Sequence, residues 1–274
     1  MNIGIVGQGF VGKAVFEKFK SFYKLLTYDL NSKLSNSSIY EIKNKCKIIF
    51  VCVPTPMNLD GSCDYSIVES VISKFSDKKG TIIINKSTTI PGTTDFLNSK
   101  YKNIQIVFNP EFLTERNAIL DYQNQDRIII GGPRPATTLV KNIFSKVFPK
   151  SKIIKTGSTH AEMIKYFTNC FLATKVSFAN EMFQLCEKLE LDYDKVVEYS
   201  ITDKRIGNSH LNVPGHDGDL GFGGHCLPKD LQAILYLTEK LESTNSVLKS
   251  VKETNDKIRK NRDWEKMIGR AVNK

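Results

Sequence analysis

The chain has no run of about 18 apolar residues, the length a membrane-spanning helix requires, so nothing in its 274 residues is expected to cross a bilayer as a helix. A secretory leader is not expected either, because Met1 runs straight into a strand-like segment and no basic region precedes an apolar stretch. The six cysteines, Cys46, Cys52, Cys63, Cys170, Cys186 and Cys226, form no C-x-x-C pair and no zinc-ligand spacing. They read as free thiols in a reducing cytoplasm, with neither a disulfide framework nor a metal site. Internal repeats and low-complexity segments are also missing. The formal charge is +10, yet the lysines are scattered and no basic run carries interleaved aromatics. Nucleic acid is therefore not the expected partner, and the basic balance suits a small polyanion such as a nucleotide diphosphate. Hydrophobic residues make up 41% of the chain, ample for one large domain or two modest ones.

Against these absences stands an ordered signal at the N-terminus. Residues 2–6 read as a short buried strand, Gly7-Gln8-Gly9-Phe10-Val11-Gly12 follows, and an apolar-periodic helix continues to about Lys20. Gly7 permits a tight turn, Gly9 lets the backbone approach a pyrophosphate at the helix N-terminus, and Gly12 lets helix and strand pack closely. Phe10 and Val11, in the first turn of that helix, join the cofactor-binding set. The glycine pattern alone is weak, but here a second strand at 24–28 follows and ends in Asp29, near the distance of about 20 residues at which a ribose-binding acid is expected. Asp29 would accept hydrogen bonds from both ribose hydroxyls and repel a 2′-phosphate, so the expected cofactor is NAD, not NADP. The competing reading is a solvated acid closing a strand.

Strand and helix patterns alternate up to about residue 155, with strands at 47–53, 81–85, 104–108, 127–130 and 152–155 and helices near 65–75, 93–98 and 135–147. This alternation predicts an α/β fold with a Rossmann-like doubly wound parallel sheet. From Ser158 the pattern changes. Apolar residues recur at helical spacing over 163–189 without Gly or Pro, which predicts a long connecting helix and an all-helical second domain. The boundary is placed near Thr156-Gly157-Ser158, giving a dinucleotide-binding domain over 1–157 and a helical domain over 158–274. So long an element has too little chain after it to bury its whole apolar face, which predicts a homodimer built on it.

The stretch Gly221-Phe222-Gly223-Gly224-His225-Cys226-Leu227-Pro228-Lys229-Asp230 presents one cysteine on a flexible glycine run just before a helix start, with Pro228 suited to the first helical position. The positive end of that helix and Lys229 favour a thiolate at Cys226, a nucleophile for carbonyl carbon. A buried structural cysteine is the alternative. Ligands of an open parallel sheet collect at the carboxyl ends of its strands, which singles out Val53-Pro54-Thr55-Pro56, residues 86–93 and residues 109–115. The hydroxyls of 87–93 would equally serve as helix caps. Glu111 and Glu115 share a face if that piece is helical. On the long helix Glu162, Lys165, Asn169, Asn180 and Glu181 interrupt the apolar pattern. Lys165 and Asn169, one turn apart, suit polarising a carbonyl and holding an oxyanion, unless Lys165 is merely solvated.

Taken in order, the G-x-G-x-x-G turn with Asp29, VCVPTP, DGSCDYS, KSTTIPGTT, NPEFLTE, AEMIKYFTNCFLATKVSFANE, Arg205-Ile206-Gly207 and GFGGHCLPKD resemble the nucleotide-sugar 6-dehydrogenases, typified by UDP-glucose and GDP-mannose 6-dehydrogenases. The resemblance covers nearly the whole chain. It implies NAD-dependent four-electron oxidation of a nucleotide-sugar primary alcohol to the uronic acid, through a cysteine thiohemiacetal and thioester. It also implies Cys226 as nucleophile, with Lys165, Asn169 and Asp230 lining the reacting carbon and Glu111 in water activation or proton transfer. Thr88 is implied on the catalytic and cofactor side, with Pro54, Thr55 and Glu115 at the cofactor. The implied substrate contacts are Glu111, Phe112, Leu113, Lys165, Asn169, Arg205, Gly223 and Lys229. Of these, Lys229 and Arg205 face either the substrate or the dimer-related site.

Three departures from the family pattern stand out. Family members usually carry a further nucleotide-binding domain, so the usual grip on UDP or GDP would have to come from elsewhere, such as a separate nucleotide-binding chain. The link over 213–220 is longer than the family's. His225 stands where a small Ser is common, and either lowers the thiol pKa or simply packs. Two other function classes share some of these features. One is a two-electron NAD-dependent hydroxyacid dehydrogenase, which shares the dinucleotide domain, the long helix and the Lys–Asn pair but needs no cysteine. The other is a non-catalytic or split subunit.

Asp29 provides a direct test. NAD should bind more tightly than NADP in titration calorimetry, and Asp29→Ala should weaken NAD by about 1–3 kcal/mol while relaxing the discrimination. Comparable or tighter binding of NADP would contradict the assignment.

Overall fold

Strands whose every residue is apolar belong in a sheet covered on both faces. The computed structural model describes residues 1–273 and contains such a sheet. Its strands are β1 (Asn2–Val6), β2 (Lys24–Tyr28), β3 (Ile48–Val51), β4 (Thr81–Asn85), β5 (Ile104–Phe108), β6 (Arg127–Gly131) and β7 (Lys152–Thr156), in the order β2-β1-β3-β4-β5-β6-β7. Ile3, Ile5, Ile48, Phe50, Ile82 and Ile84 pack on one side with α1 (Phe10–Phe19), α5 (Ala118–Gln123) and α6 (Ala136–Val147). Val6, Ile49, Val51 and Ile83 pack on the other with α2 (Ile39–Lys45), α3 (Ser66–Ser73) and α4 (Thr93–Lys100). Alternate residues of each strand thus serve opposite faces, as the two-residue period of a strand requires. The chain order reverses about β1, which pairs with both β2 and β3, and this is the doubly wound arrangement.

The sheet is not parallel throughout, which corrects the sequence expectation. β5 and β6 pair antiparallel with Phe108 opposite Gly131, while β6 and β7 are parallel to each other. A parallel return needs a crossover that carries the chain back along the sheet. Residues 109–126 instead run through α5, which packs against α1, and β6 starts from the end where β5 stops.

The remaining helices are α7 (Ser158–Lys188), α8 (Tyr193–Ser200), α9 (Cys226–Lys240) and α10 (Ser246–Ile258). The chain divides into two compact units, Met1–Thr55 with Asp64–Lys165, and Pro56–Cys63 with the chain from Tyr166 onward. The change of element type falls at Ser158 as read from the sequence, but the packing division lies inside α7. Ala161 and Ile164 explain the difference, because they pack with Phe108, Ile129, Phe112 and Ile154 of the sheet unit. Residues 56–63 count with the second unit because the Met57 amide donates to Ala271 and its carbonyl accepts from Asn273. That unit is not helical throughout: residues 201–225 form no helix, and Tyr193 Oη holds the stretch by donating to the Leu211 carbonyl at 2.7 Å. Among the described residues no helix is long and apolar enough to cross a membrane.

Phe144 sits at the centre of the sheet unit's aromatic cluster, with ring centroids 5.5 Å from Phe19, 6.0 Å from Phe50 and 5.9 Å from Phe148. It is fully buried. Phe144→Ala should therefore cost about 3–5 kcal/mol in denaturant unfolding of this unit. A loss below about 1 kcal/mol, the size of an ordinary substitution, would contradict the packing described.

Candidate functional site

At the end of β1, Gly7 adopts φ +91°, and a Cβ there would lie 2.3 Å from the Cys52 carbonyl oxygen. A Cβ at Gly12 would lie 1.9 Å from the carbonyl oxygen of Gly7, whereas one at Gly9 would meet nothing within 4 Å. Two of the glycines therefore let the turn close, and the third leaves open space at the N-cap of α1, where no side chain caps the helix. Phe10 and Val11, both half-buried, form its first turn. Asp29 follows β2, and its carboxylate accepts from the amides of Gln8 at 2.7 Å and Asn31 at 2.8 Å. An ionised carboxylate has about four acceptor positions, so these two bonds orient the acid without exhausting it. Room beside a helix N-terminus at one end and a fixed acid at the other fit the pyrophosphate and ribose of a dinucleotide. After β3, Pro54 is exposed and Thr55 buried.

The loops after β4 and β5 hold a buried charge cluster. Lys165 Nζ donates to the Glu111 carbonyl at 2.6 Å and to Glu111 Oε1 at 3.0 Å, while Glu111 Oε2 accepts from the Leu113 amide at 2.8 Å. Lys165 is 2% exposed, which excludes the solvated reading. Burial pushes the Glu111 carboxyl upward, but Lys165, the Leu113 amide and Lys86 outweigh it and hold the group below its ordinary range. Lys86 Nζ donates to Asn109 Oδ1 at 2.8 Å and to the Asn109 carbonyl at 3.2 Å, and burial lowers its pKa to about 8. The Phe112 ring lies 5.6 Å from Lys165 Nζ.

Residues 109–114 are irregular, so Glu111 and Glu115 do not share a helical face. Pro110 disfavours helix at Asn109 and lacks an amide hydrogen, and the Leu113 amide bonds a side chain instead of a helical carbonyl. Glu111 is consequently buried, whereas Glu115 opens a short 3-10 turn in solvent.

Thr88 is buried on the loop between β4 and α4. Glu162, one turn before Lys165 on α7, anchors that loop by accepting from the amides of Gly92 at 2.7 Å and Thr94 at 2.9 Å. It also accepts from the hydroxyls of Thr94 and Thr89. Burial raises its pKa to about 6 against the pull of these bonds. The capping role weighed for residues 87–93 therefore falls to Glu162, since Gly92 occupies the N-cap of α4 without a side-chain bond. Ser87 instead exchanges two hydrogen bonds with the backbone of Val53.

In the second unit α9 begins at Cys226, two residues earlier than Pro228, which therefore sits within the first turn and not at its start. Cys226 is half-buried, and its Sγ lies 3.4 Å from His225 Nε2. Asp230 is buried and accepts from Asn169 Nδ2 at 2.6 Å and from Lys229 Nζ. Burial works against the Lys229 ammonium, but the Asp230 carboxylate holds its pKa above the ordinary range. Arg205, by contrast, is exposed and bonds only its neighbour Asp203 in the second unit.

The glycine run is bonded in place, which corrects the expectation of flexibility. The amides of Gly221, Phe222 and Gly224 donate to Asn180, Asn255 and Asp263. A Cβ at Gly223 would lie 2.4 Å from Arg259 Nη2. Arg259 is buried and ion-paired with Asp217, while Asp219 accepts from the Asn261 amide at 2.7 Å, so the long link over 213–220 is folded onto this arginine. The sequence reading assigned no role to Lys86, Asn109, Glu162 or Arg259. Polar interruption of the apolar pattern signalled Glu162, and the strand-end rule reached the loops of Lys86 and Asn109. Nothing local marked Arg259.

Residues 20–150 match the NAD-binding domain of the UDP-glucose/GDP-mannose dehydrogenase family, and residues 159–257 match its central domain. The chain is 35% identical over 233 residues to a putative UDP-glucose 6-dehydrogenase of Bacillus subtilis (strain 168), covering 81% of this chain and 53% of that protein. It spans about half the length of the curated relatives it matches. A UDP-glucose dehydrogenase structure from Pyrobaculum islandicum is 26% identical with a TM-score of 0.81, covering 93% of this chain and 68% of that one. A 3-hydroxyisobutyrate dehydrogenase from Mycobacterium tuberculosis, 16% identical with a TM-score of 0.75, covers 93% of this chain and 92% of its own, a likeness of fold alone. With both domains matched in order on a turn that fits a dinucleotide, the chain belongs to the UDP-glucose/GDP-mannose dehydrogenase family, and its cofactor is NAD.

Proposed function

We propose that this chain carries out the four-electron oxidation of a nucleotide-sugar primary alcohol to the uronic acid, with UDP-glucose as the first candidate substrate. The observation that carries the reading is the placement of Cys226 at the first position of a 15-residue helix, half-buried and one turn from Lys229. Burial pushes Cys46 up to about 11 and both Cys52 and Cys170 up to about 12, holding those three as inert thiols. A two-electron alcohol dehydrogenase needs no thiol at a helix N-terminus. Oxidation to the acid does, because an aldehyde must first gain a nucleophile.

NAD, when bound, would supply the hydride acceptor. Gly7, Gly9, Phe10, Val11, Gly12 and Asp29 would hold it, with Pro54, Thr55, Thr88 and Glu115 on the same side. Cys226 adds to the aldehyde carbon as the thiolate and carries the acyl group as a thioester. Lys165 and Asn169 donate to the oxygen of the tetrahedral adduct. Asp230 acts by orientation, since its carboxylate fixes both the Asn169 amide and the Lys229 ammonium. Glu111 stays ionised at neutral pH and so serves as the base that draws a proton from the water that hydrolyses the thioester. Phe112, Leu113, Arg205, Gly223 and Lys229 complete the proposed substrate set. A cytoplasmic setting belongs to the same reading, since unbridged cysteines persist under reducing conditions.

A second copy of the chain is the proposed partner. Helix α7 exposes Met163, Phe167, Phe171, Phe178 and Leu185, a stripe at intervals of four and seven residues. A stripe of this kind along one helix is suited to self-complementary packing about a two-fold axis. Light scattering at micromolar concentration should give the mass of a dimer, and Phe171→Glu should shift it to the monomer. A monomeric mass for the unsubstituted chain would refute the proposal.

The catalytic proposal is tested by removing the thiol. Cys226→Ala should abolish formation of the acid, and Cys226→Ser should accumulate a covalent ester visible by intact-protein mass spectrometry, because an alkoxide leaves less readily than a thiolate. Acid formation by Cys226→Ala at a rate near that of the unsubstituted enzyme would rule out covalent catalysis through this residue.

A further inference from the structure

We infer that His225 is a catalytic acid–base partner of Cys226, so that nucleophile and proton acceptor are adjacent residues at the start of one helix. The imidazole is 8% exposed and its Nε2 lies 3.4 Å from Sγ, within hydrogen-bond reach of sulfur. His225 occupies the N-cap position of α9, and its side chain makes no capping bond to the helix amides. Backbone bonds hold the pair in place: the Gly224 amide donates to both carboxylate oxygens of Asp263 at 3.1 Å, and Arg259 stands 3.7 Å from that carboxylate. The charged and titratable groups bordering this turn within the unit include Lys229 and Asp230 on α9, Asp263, Arg259 and the Cys63 thiol.

The proton movements balance without any further reagent. Neutral His225 takes the proton from Sγ, leaving a thiolate–imidazolium pair whose net charge equals that of the thiol and neutral ring. When the thiolate adds to an aldehyde, the carbon–sulfur bond forms and the carbonyl π pair moves to oxygen. The imidazolium then protonates that oxygen, giving the thiohemiacetal and a neutral ring ready to take the same proton back in the second oxidation. During hydrolysis the carbon–sulfur bond breaks and sulfur leaves with the electron pair, beside a ring able to return its proton. A serine at this position would offer only a hydroxyl hydrogen bond. The role in aldehyde addition rests on the function proposed above, whereas the activation of Cys226 does not.

The test uses the complete chain without substrate, by measuring Cys226 alkylation with iodoacetamide from pH 5.5 to 9.5 and assigning the labelled site by mass spectrometry. His225→Ser and His225→Gln should both cut the rate at pH 7 by about threefold to tenfold and move its midpoint toward the ordinary thiol value of about 8.5. Glutamine separates the two roles, because it can hydrogen-bond a thiolate but cannot take a proton. Unchanged thermal melting and NAD affinity would show that the variants remain folded. Alkylation profiles superimposable on that of the unsubstituted chain would overturn the dyad, whatever happens to turnover. A shifted profile in a chain that oxidises no nucleotide sugar would sustain the dyad and dismiss the substrate assignment.

Discussion

The salt bridge between Lys165 and Glu111 is the interaction on which the sheet unit's half of the chemistry depends. An ammonium at 2% exposure is costly unless oxygen atoms meet it, and Glu111 supplies both a carboxylate and a carbonyl. Removing either partner would leave the other charge buried and uncompensated, a loss of about 3–5 kcal/mol by analogy with other buried pairs. The geometry follows from Pro110, which keeps the chain after β5 out of a helix and frees Glu111 to fold back. Lys86 makes the same kind of attachment to Asn109, and Glu162 fastens the Thr88 loop to the opening turns of α7. Polar bonds thus register two strand-end loops against one helix and against each other, where apolar packing alone would leave them free to slide.

The second unit solves a different problem, which is to present a thiol at a helix N-terminus while keeping its approach rigid. Glycine is needed along 221–224 for closeness: at Gly221 a Cβ would meet Asn255 Oδ1 at 2.3 Å, and at Gly223 it would meet Arg259. Once packed, the same segment gives its amides to Asn180, Asn255 and Asp263. Asp217, Asp219 and Asp263 all lie within ion-pair distance of Arg259, so the link over 213–220 is a folded part of this support. The result is a cysteine at the N-terminal end of a helix, one turn from a Lys229 that Asp230 keeps charged.

Much of the fold was legible because β3, β4 and β5 are rich in apolar β-branched residues bounded by turn signals, and because the G-x-G-x-x-G turn, its helix and Asp29 come in a fixed order. The antiparallel entry of β6 was not legible. In the sequence its strand–helix–strand pattern reads like that of the parallel crossovers, and only the pairing of Phe108 with Gly131 sets its direction. Cys226, Lys165 and Asn169 stood out as chemistry-bearing types in unusual company. Asp230 came from the family resemblance, and its role in joining Asn169 to Lys229 emerged only from the packing. Arg259 had no signal of its own, since Asp217 and Asp219 lie about 40 residues away in a segment that reads as an ordinary polar loop. Glu162 was visible as an interruption on α7, but its acceptors are amides of another loop, and no periodicity announces those.

In the proposed function, Cys226 converts an alcohol oxidation into an acid-forming one. Counting NADH formed per sugar consumed tests it most directly, using limiting UDP-glucose, saturating NAD and the complete chain. Two NADH should form for each sugar converted to the uronic acid. One NADH per sugar, with the aldehyde as final product, would contradict it and leave the chain with the two-electron chemistry of a simple alcohol dehydrogenase.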